Sequence, residues 1–269
     1  MDCQLADISI YYEQFGEGRS FVVIPGMPSD HRIASSWLEP FFATRPGWQR
    51  FYLDLHGTGR TPGAEWITSI DQVLDVVCDF CDAVLPGQRF TLLGLSAGGY
   101  LARGVVHRKA ALIDGLCLLV PWLSDEGGAR PLPAALVHDP AVVSGLSAGE
   151  AERFEGLFAV TSRRVLDWYR DVVVSARQGA DWSFVDRLVK TYSFDLDAVS
   201  ETFDKPTLIL TGRQDTHVGY RDAWQILEQY PRATLAVLDR AGHGLGIEQP
   251  CLFCALIGEW LDRVKANSR

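Results

Sequence analysis

The sequence predicts an α/β fold in which most strands are parallel. Short continuous apolar runs recur along the chain, and segments whose apolar residues have helical spacing lie between several of them. Such runs are typical of strands covered on both faces, as in a parallel sheet flanked by helices. The 25 glycines and 13 prolines supply turns between these elements, and the sequence has no internal repeat.

Length and charge limit the class of protein and its partners. The 269 residues suffice for one domain, or for one domain with a sizeable insertion. The net charge of −9 makes nucleic acid and anionic membrane surfaces poor partners, because both attract basic proteins. The first residues lack a signal-peptide pattern, and no apolar run approaches the ~20 residues of a membrane span. We therefore predict a cytoplasmic protein with no nucleic-acid or membrane partner.

The first predicted elements are three strands. Within residues 4–15, Leu5, Asp7, Ser9 and Tyr11 alternate with Ala6, Ile8, Ile10 and Tyr12. This period of two indicates a half-buried strand, antiparallel at a sheet edge. Phe21–Ile24 and Phe51–Leu53 are short apolar runs, and they predict strands that are buried on both faces.

Helices and strands then alternate. Residues 69–84 have apolar side chains at helical spacing and predict a helix. A strand is predicted at 90–95, a helix at 97–109 and a strand at 113–120. Strand–helix alternation of this kind indicates a mostly parallel sheet, in which ligands bind beyond the carboxyl ends of the strands.

Residues 122–204 interrupt the alternation and are predicted to be mostly helical. We therefore predict a core made of residues 1–121 and 205–269, and a helical cap, 122–204, inserted after the sixth strand. Beyond the insertion the pattern resumes with a strand at 207–210, a helix near 220–230, a strand at 234–238 and a helix at 250–265.

A candidate nucleophile lies between a predicted strand and a predicted helix. Gly94-Leu95-Ser96-Ala97-Gly98 has the pattern Gly-x-Ser-x-Gly, which in this setting holds a serine exposed on a sharp turn. The glycines permit close passage of the chain where a side chain would clash. The sequence therefore predicts Ser96 as a nucleophile, and the alternative is an inert tight turn.

A serine hydroxyl is a weak nucleophile unless a base takes its proton. His243 lies on a glycine-rich loop after the predicted strand 234–238, and it is the predicted base. Asp215 follows the strand 207–210 and is predicted to orient His243, with Asp125 as the alternative carboxylate. Asp215 could instead only cap a helix near Val218. The other histidines are interpreted as bystanders: His31, His56, His107, His138 and His217.

Acyl transfer also requires hydrogen-bond donors for the developing oxyanion. The backbone N–H of Ala97 directly follows the candidate nucleophile and is one predicted donor. The second is the N–H of Met27, because Gly26 lets the loop after the strand Phe21–Ile24 approach the substrate. The Met27 side chain is then expected to line the pocket.

The chain resembles the α/β-hydrolase superfamily over essentially its full length. The motifs that carry this resemblance are Pro25-Gly26-Met27, Asp54 to Thr61, Gly94 to Gly99, Gly212 to Asp215, and Gly242-His243 with Glu248-Gln249-Pro250. The resemblance implies an eight-stranded sheet with helices on both faces, a cap inserted after strand six and no cofactor or metal. The order Ser96, Asp215, His243 is the order of this superfamily. In two places the chain departs from the usual motifs, with Pro25 in place of a histidine, and His56 and Thr58 in place of a proline and a histidine.

The leading hypothesis is a serine hydrolase that cleaves a carboxylic ester or lactone of a small, largely apolar molecule through an acyl-enzyme on Ser96. Aromatic residues of the insertion suggest an apolar pocket, and the candidate substrate contacts are Met27, Trp122, Phe158, Trp168 and Tyr169, with Trp182 nearby in sequence. A non-hydrolytic binder, or a lyase or acyltransferase of a biosynthetic pathway, is one alternative. An aminopeptidase is another, with an amine clamp drawn from Glu126, Glu150, Glu152 and Glu155.

Two Cys-x-x-Cys pairs, Cys78 with Cys81 and Cys251 with Cys254, raise the question of a zinc site. Each pair lies in a predicted helix rather than on a short turn, and the pairs are far apart in the sequence. They are therefore interpreted as reduced, buried, small hydrophobic side chains.

Overall fold

An eight-stranded sheet lies at the centre of the protein. The computed structural model describes residues 1–123, 137–191 and 202–267. Its main sheet has the order β1-β2-β4-β3-β5-β6-β9-β10, and a separate two-stranded sheet joins β7 and β8. The strands are β1 (Asp2–Gln4), β2 (Ser9–Phe15), β3 (Arg19–Ile24), β4 (Trp48–Leu53), β5 (Phe90–Leu95), β6 (Ile113–Leu119), β7 (Val137–His138), β8 (Val160–Thr161), β9 (Thr207–Gly212) and β10 (Ala233–Leu238).

Strand pairing confirms the predicted, mostly parallel, eight-stranded sheet. The pairs β1–β2 and β2–β4 are antiparallel, and all other neighbours in the main sheet are parallel. One prediction is wrong in detail, because residues 4–15 do not form a single strand. The chain turns back after β1, where the Leu5 amide donates to the Ile8 carbonyl at 2.8 Å. Asp2 then lies opposite Tyr11.

Helices cover both faces of the sheet. They are α1 (Arg32–Phe42), α2 (Ile70–Val84), α3 (Ala97–Lys109), α4 (Pro140–Val143), α5 (Ala148–Leu157), α6 (Arg163–Trp168), α7 (Ser175–Gln178), α8 (Trp182–Val189), α9 (Asp222–Gln225), α10 (Leu245–Glu248) and α11 (Pro250–Asn267). A π-helical turn, Tyr169–Val174, joins α6 to α7, and short 3₁₀ turns cover Ala110–Leu112 and Leu227–Gln229. None of the helices in the described ranges is long and apolar enough to cross a membrane.

The apolar core is divided by the sheet into two clusters. Val73 and Val77 of α2 and Leu101 of α3 belong to the first cluster. Trp37 of α1 and Trp260 of α11 belong to the second. Strands β5, β6 and β9 are buried along their whole length, as their continuous apolar runs predict.

Two helical regions differ from the predictions. The patterns above do not predict α1, although its buried residues Ile33, Trp37 and Phe41 recur every four positions, because Pro40 within the helix obscures the pattern. The helix predicted at 220–230 is reduced to α9 and a 3₁₀ turn.

The described residues 137–191, here named the inserted segment, follow β6 and precede β9 in the chain. They contain α4 to α8, as a mostly helical insertion predicts, and the short parallel pair β7–β8, which was not predicted. The division into a core and a cap stays a prediction.

Both Cys-x-x-Cys pairs lie on helices, as predicted. Cys78 and Cys81 are buried in α2. Burial raises the pKa of the Cys78 thiol, and it holds the pKa of the Cys81 thiol well above its ordinary range. In α11, by contrast, Cys251 is exposed and Cys254 is half-buried, so the prediction of burial is wrong for that pair.

Candidate active site

Ser96 lies on the turn between β5 and α3, at the carboxyl end of a central strand. Its backbone has φ 54° and ψ −119°, a conformation that residues other than glycine rarely adopt. The Ser96 amide donates to the Leu119 carbonyl at 2.9 Å, and the Ser96 carbonyl accepts from Gly99 at 2.8 Å. The strained turn is therefore held by backbone hydrogen bonds on both sides.

The two glycines that flank Ser96 in the motif are required by close backbone contacts. A Cβ atom at Gly94 would lie 2.2 Å from the Gly98 carbonyl oxygen. A Cβ atom at Gly98 would lie 2.3 Å from the carbonyl oxygen of Ile24. Neither position can carry a side chain without moving β3 or α3, which is the physical basis of the Gly-x-Ser-x-Gly pattern here.

Asp215 and His243 lie after β9 and β10 and contact each other. His243 Nδ1 is 2.8 Å from Asp215 Oδ2. The other carboxylate oxygen, Oδ1, accepts from the His217 amide at 2.8 Å and the Val218 amide at 3.1 Å. Asp215 thus closes a local turn and holds His243 at the same time, whereas no helix begins at Val218. The alternative carboxylate, Asp125, lies outside the described residues.

Electrostatics favour an ionised Asp215 beside His243. Burial alone would raise the pKa of Asp215, but the charge and hydrogen bond of His243 and two backbone amides outweigh it, so the pKa is lowered. For His243, desolvation works against the cation, but Asp215 and then Glu248 dominate and raise its pKa. This pair can therefore accept a proton on the outer nitrogen of His243, Nε2, and stabilise the resulting cation.

Ser96 and His243 line one cavity of about 270 Å³. Its walls come from the loop after β3, from α1 and from the inserted segment. The lining residues are Gly26, Met27, Pro28, Ser29, Ile33, Trp37, Leu95, Ser96, Trp122, Leu157, Phe158, Trp168, Val173, Arg177, His217, Val218, His243 and Gly244. Within the described ranges the Ser96 hydroxyl is not hydrogen-bonded to His243, and such bonds often tighten only when substrate is bound.

The predicted oxyanion donors lie beside Ser96. A Cβ atom on Gly26 would be 3.0 Å from Ser96 Cβ, so the loop that carries Met27 passes directly over the serine. Ala97 is the first residue of α3, where backbone N–H groups have no partner inside the helix. Neither the Met27 amide nor the Ala97 amide donates a hydrogen bond to another described residue. Both donors are thus available to a ligand.

The predicted substrate contacts divide into two groups. Met27, Trp122, Phe158 and Trp168 line the cavity. Tyr169 does not; it is buried behind the wall, with its ring 5.4 Å from Phe154 and 5.9 Å from Phe158.

Sequence reasoning missed three polar residues of the cavity, Ser29, His217 and Arg177. His217, interpreted above as a bystander, lines the cavity and stacks on the His243 ring at 5.2 Å. Desolvation, followed by the neighbouring His243 cation, lowers the pKa of His217 to about 4. Its position two residues after Asp215 was the signal that could have found it. Arg177, at the end of α7, also lines the cavity, and no local sequence pattern distinguishes it from the other arginines of the insertion.

Glu248 connects the His243 loop to the inserted segment. Its Oε1 accepts from the amides of Ala159 at 2.6 Å and Val160 at 3.0 Å, and its Oε2 accepts from the Gly242 amide at 2.8 Å. Burial raises the pKa of Glu248 to about 7 against the effect of these amides. The His243 amide donates to Leu157 O at 2.8 Å, a second link between the same two regions.

Two further buried histidines lie outside the cavity lining. His31 Nδ1 is 2.7 Å from Asp54 Oδ1, which also accepts from the His31 amide at 3.0 Å. Neither ring nitrogen of His56 has a hydrogen-bond partner, and burial lowers the pKa of His56 to about 4. With Asp30, the pair His31 and Asp54 is the one cluster of metal-ligand side chains among the described residues. Its carboxylates are occupied, since Asp30 binds Arg32 and Asp54 binds His31 and the Arg60 amide.

Comparisons with known proteins identify a family and a fold. Residues 30–250 match the family Hydrolase_4, described as "Serine aminopeptidase, S33". N-formylmaleamate deformylase of Pseudomonas putida is 24% identical over 268 residues, covering 94% of this chain and 92% of that protein. The pimeloyl-(acyl-carrier protein) methyl ester esterase of Nitrosomonas europaea is 25% identical over 254 residues, covering 87% and 92%. An α/β superfamily hydrolase from Oenococcus oeni has a TM-score of 0.85 at 23% identity, covering 95% of this chain and 96% of the other.

The matched range contains the Ser96 turn, the Asp215 turn and the His243 loop, and it covers most of the chain. The family match confirms the resemblance inferred from the motifs, and the solved neighbour has the same fold. The chain is therefore a hydrolase of the α/β fold and belongs to the family described as serine aminopeptidase, S33.

Proposed function

We propose that the protein is a serine hydrolase that cleaves a carboxylic ester or lactone of a small, largely apolar molecule through an acyl-enzyme on Ser96. The observation that carries this proposal is the hydrogen bond of 2.8 Å between His243 and the buried Asp215, on a loop that shares one cavity with Ser96. A serine on a strained turn, a base and an orienting carboxylate are the parts that nucleophilic acyl transfer requires.

The reaction follows from these positions. The Ser96 hydroxyl attacks the carbonyl carbon while His243 Nε2 takes its proton, and Asp215 stabilises the histidine cation. The amides of Met27 and Ala97 bind the oxyanion. Collapse of the tetrahedral intermediate expels the alcohol, which receives the proton from His243. Water activated by His243 then cleaves the acyl-enzyme, releases the acid and restores Ser96.

Substrate size and polarity are inferred from the cavity. A volume of about 270 Å³ fits a small molecule, and most of the lining is aliphatic or aromatic. Two relatives bear the names of a methyl ester esterase and a deformylase, and both names denote cleavage of an acyl bond. Ester or lactone cleavage with water as the acceptor is the simplest chemistry that unites these features.

A fluorophosphonate probe tests the proposal, because it forms a bond only with an activated serine. We expect stoichiometric labelling of Ser96 in the folded protein, identified by peptide mass, and none in Ser96→Ala. Ser183→Ala, which changes an exposed serine of α8, is the matched control and should label like the wild type. An unlabelled but folded wild type would reject the serine-hydrolase mechanism and favour a binding protein or a lyase.

The family description names aminopeptidases, which require an acidic group to hold the substrate amine. None of the described residues that line the cavity is acidic. Glu150, one residue of the predicted clamp, is bound to Arg170 at 2.8 Å, and Glu152 and Glu155 do not line the cavity. Glu126 lies outside the described residues. We therefore place ester or lactone hydrolysis above aminopeptidase activity.

A further inference from the structure

We infer that Arg177 binds a carboxylate of the substrate, so that the enzyme acts on esters of small acids that carry a second, free carboxylate. The inference rests on the proposed function, since it concerns the substrate of the same cavity. It refines the expectation of a largely apolar substrate by placing one anionic group at one end of it.

Arg177 is a wall residue of the reaction cavity. It lies at the end of α7 and lines the same cavity as Ser96 and His243. Its charge acts on the proposed base, since it opposes the rise in the pKa of His243 that Asp215 and Glu248 cause. It also contributes to the lowered pKa of His217. A ligand held by Arg177 would therefore lie beside the groups that are proposed to react.

Arg177 is half-buried and has no anionic partner among the described residues. Its guanidinium makes no hydrogen bond or ion pair with them, and it lies over the Trp182 ring, 5.2 Å from the centroid. Arg163 is paired with Asp167 and Arg170 with Glu150, whereas Arg153, Arg164 and Arg187 make no ion pair with a described residue. Those three side chains are exposed, so Arg177 differs from them because it is half-buried in the wall of the cavity.

Burial deprives the Arg177 cation of part of its hydration. Burial lowers the pKa of Arg177, and the nearby Arg153 lowers it further, although Tyr169 acts in the opposite direction. A partly desolvated cation without a partner is unfavourable unless a ligand supplies the anion. A guanidinium binds a carboxylate through two parallel hydrogen bonds, which makes a carboxylate the ligand group that fits best.

The rest of the cavity offers no competing anion. Its described lining contains no aspartate or glutamate. Two buried carboxylates that act on His243 are already engaged, Asp215 with His243 itself and Glu248 with three backbone amides. The lining also includes the apolar side chains of Phe158, Trp168 and Val173. A cavity that combines Ser96, these apolar walls and one cation fits an acyl chain with an ester carbonyl at one end and a carboxylate at the other.

The test compares methyl esters that differ only in the terminal group. The probes are the monomethyl esters of succinate, glutarate and adipate, each matched with a neutral methyl ester in which an isopropyl group replaces the carboxylate. We expect the wild type to prefer at least one charged ester in kcat/KM. Arg177→Gln should lower kcat/KM for that ester by about 10- to 100-fold and change it little for the neutral match.

Two variants make the result specific. Arg177→Lys keeps the charge but not the two-pronged geometry, so it should fall between the wild type and Arg177→Gln. Arg163→Gln, at an exposed arginine that does not line the cavity, should leave both rates unchanged. Equal ratios of charged to neutral ester in the wild type and Arg177→Gln would overturn the inference.

A binding measurement separates this inference from the proposed function. Calorimetry with Ser96→Ala measures the affinity for the same monomethyl esters without turnover. We expect binding that is weakened at least tenfold when Arg177→Gln is added. If no ester is hydrolysed, the proposed function fails, but the calorimetry still decides the role of Arg177. No binding to Ser96→Ala, or equal binding with and without Arg177→Gln, would reject a carboxylate site at Arg177.

Discussion

The strand-end loops of the sheet and the inserted segment line the same cavity with different residue types. The loops after β5 and β10 contribute Ser96 and His243 to the cavity, and the loop after β9 contributes Asp215, which binds His243. The inserted segment contributes apolar walls and one cation, Arg177. Parallel strands that end side by side fix the reacting groups to within a narrow geometry, whereas short helices can change the wall without disturbing them.

The two regions are connected at a few points close to His243. Glu248 accepts hydrogen bonds from backbone amides of both regions, and the Leu157 carbonyl accepts a hydrogen bond from the His243 amide. Thr216 Oγ1 adds a hydrogen bond of 2.6 Å to the Gly156 carbonyl. The inserted segment therefore does more than cover the cavity, since it also fixes the loop of the proposed base.

Substitution of the nucleophile should have the largest effect and should separate activity from stability. Ser96→Gly removes the attacking oxygen, so kcat for ester hydrolysis should fall by about 10⁶-fold. Because Ser96 has φ 54°, glycine relieves backbone strain, and the free energy of unfolding should rise by roughly 1 kcal/mol. Urea unfolding and ester turnover measure the two quantities. A destabilised variant, or one with retained turnover, would contradict the assignment.

Substitution of the orienting carboxylate tests the chemistry of the loops further. Asp215→Asn should lower kcat by about 10⁴-fold, because the amide can no longer hold the required tautomer of His243. Asp215 raises the pKa of His243, and the unprotonated base is the active form. The wild-type kcat should therefore rise with pH through this raised pKa. In Asp215→Asn the acidic limb of the curve of residual kcat against pH should move to lower pH. An unshifted limb would show that the two side chains are not coupled.

Glu248→Gln tests the connection between the regions. Its carboxamide has one oxygen, so it can keep the amides of Ala159 and Val160 or that of Gly242, but not all three. We expect a loss of about 1–3 kcal/mol in the free energy of unfolding at pH 8 and a fall in kcat of about tenfold through displacement of His243. Glu259→Gln, at an exposed glutamate of α11, is the control and should have little effect on either quantity.

The pH dependence of stability gives a second measurement on Glu248. Its folded pKa is raised from 4.5 to about 7, so its protonated form contributes stability below about pH 4.5 that is lost as pH rises through 7. This part of the slope should be absent in Glu248→Gln. Identical slopes in the two proteins between pH 4.5 and 7 would show that burial does not hold a proton on Glu248.

The sequence predicts the strand-end loops better than the inserted segment for a physical reason. The backbone contacts at Gly94 and Gly98 exclude side chains, so the Ser96 turn is visible as a local pattern. Arg177 differs from Arg163 only in what the fold places beside it, and Glu248 acts through amides 88 and 89 residues away. A role that depends on tertiary neighbours produces no recognisable spacing in the sequence. For the same reason Tyr169 was predicted to line the cavity, whereas it packs behind the cavity wall.

The smallest expected effect concerns Trp182, which does not line the cavity but contacts Arg177. Trp182 is 45% exposed, so Trp182→Ala should change the free energy of unfolding by no more than ~0.5 kcal/mol. Loss of the contact between its ring and the guanidinium should reduce the preference for the charged ester by about two- to fivefold, because a cation–π contact contributes about 0.5–1 kcal/mol. Trp66→Ala, at a tryptophan that is 44% exposed and does not line the cavity, should leave the preference unchanged. An equal change in both variants would mean that the carboxylate preference does not depend on how the inserted segment holds Arg177.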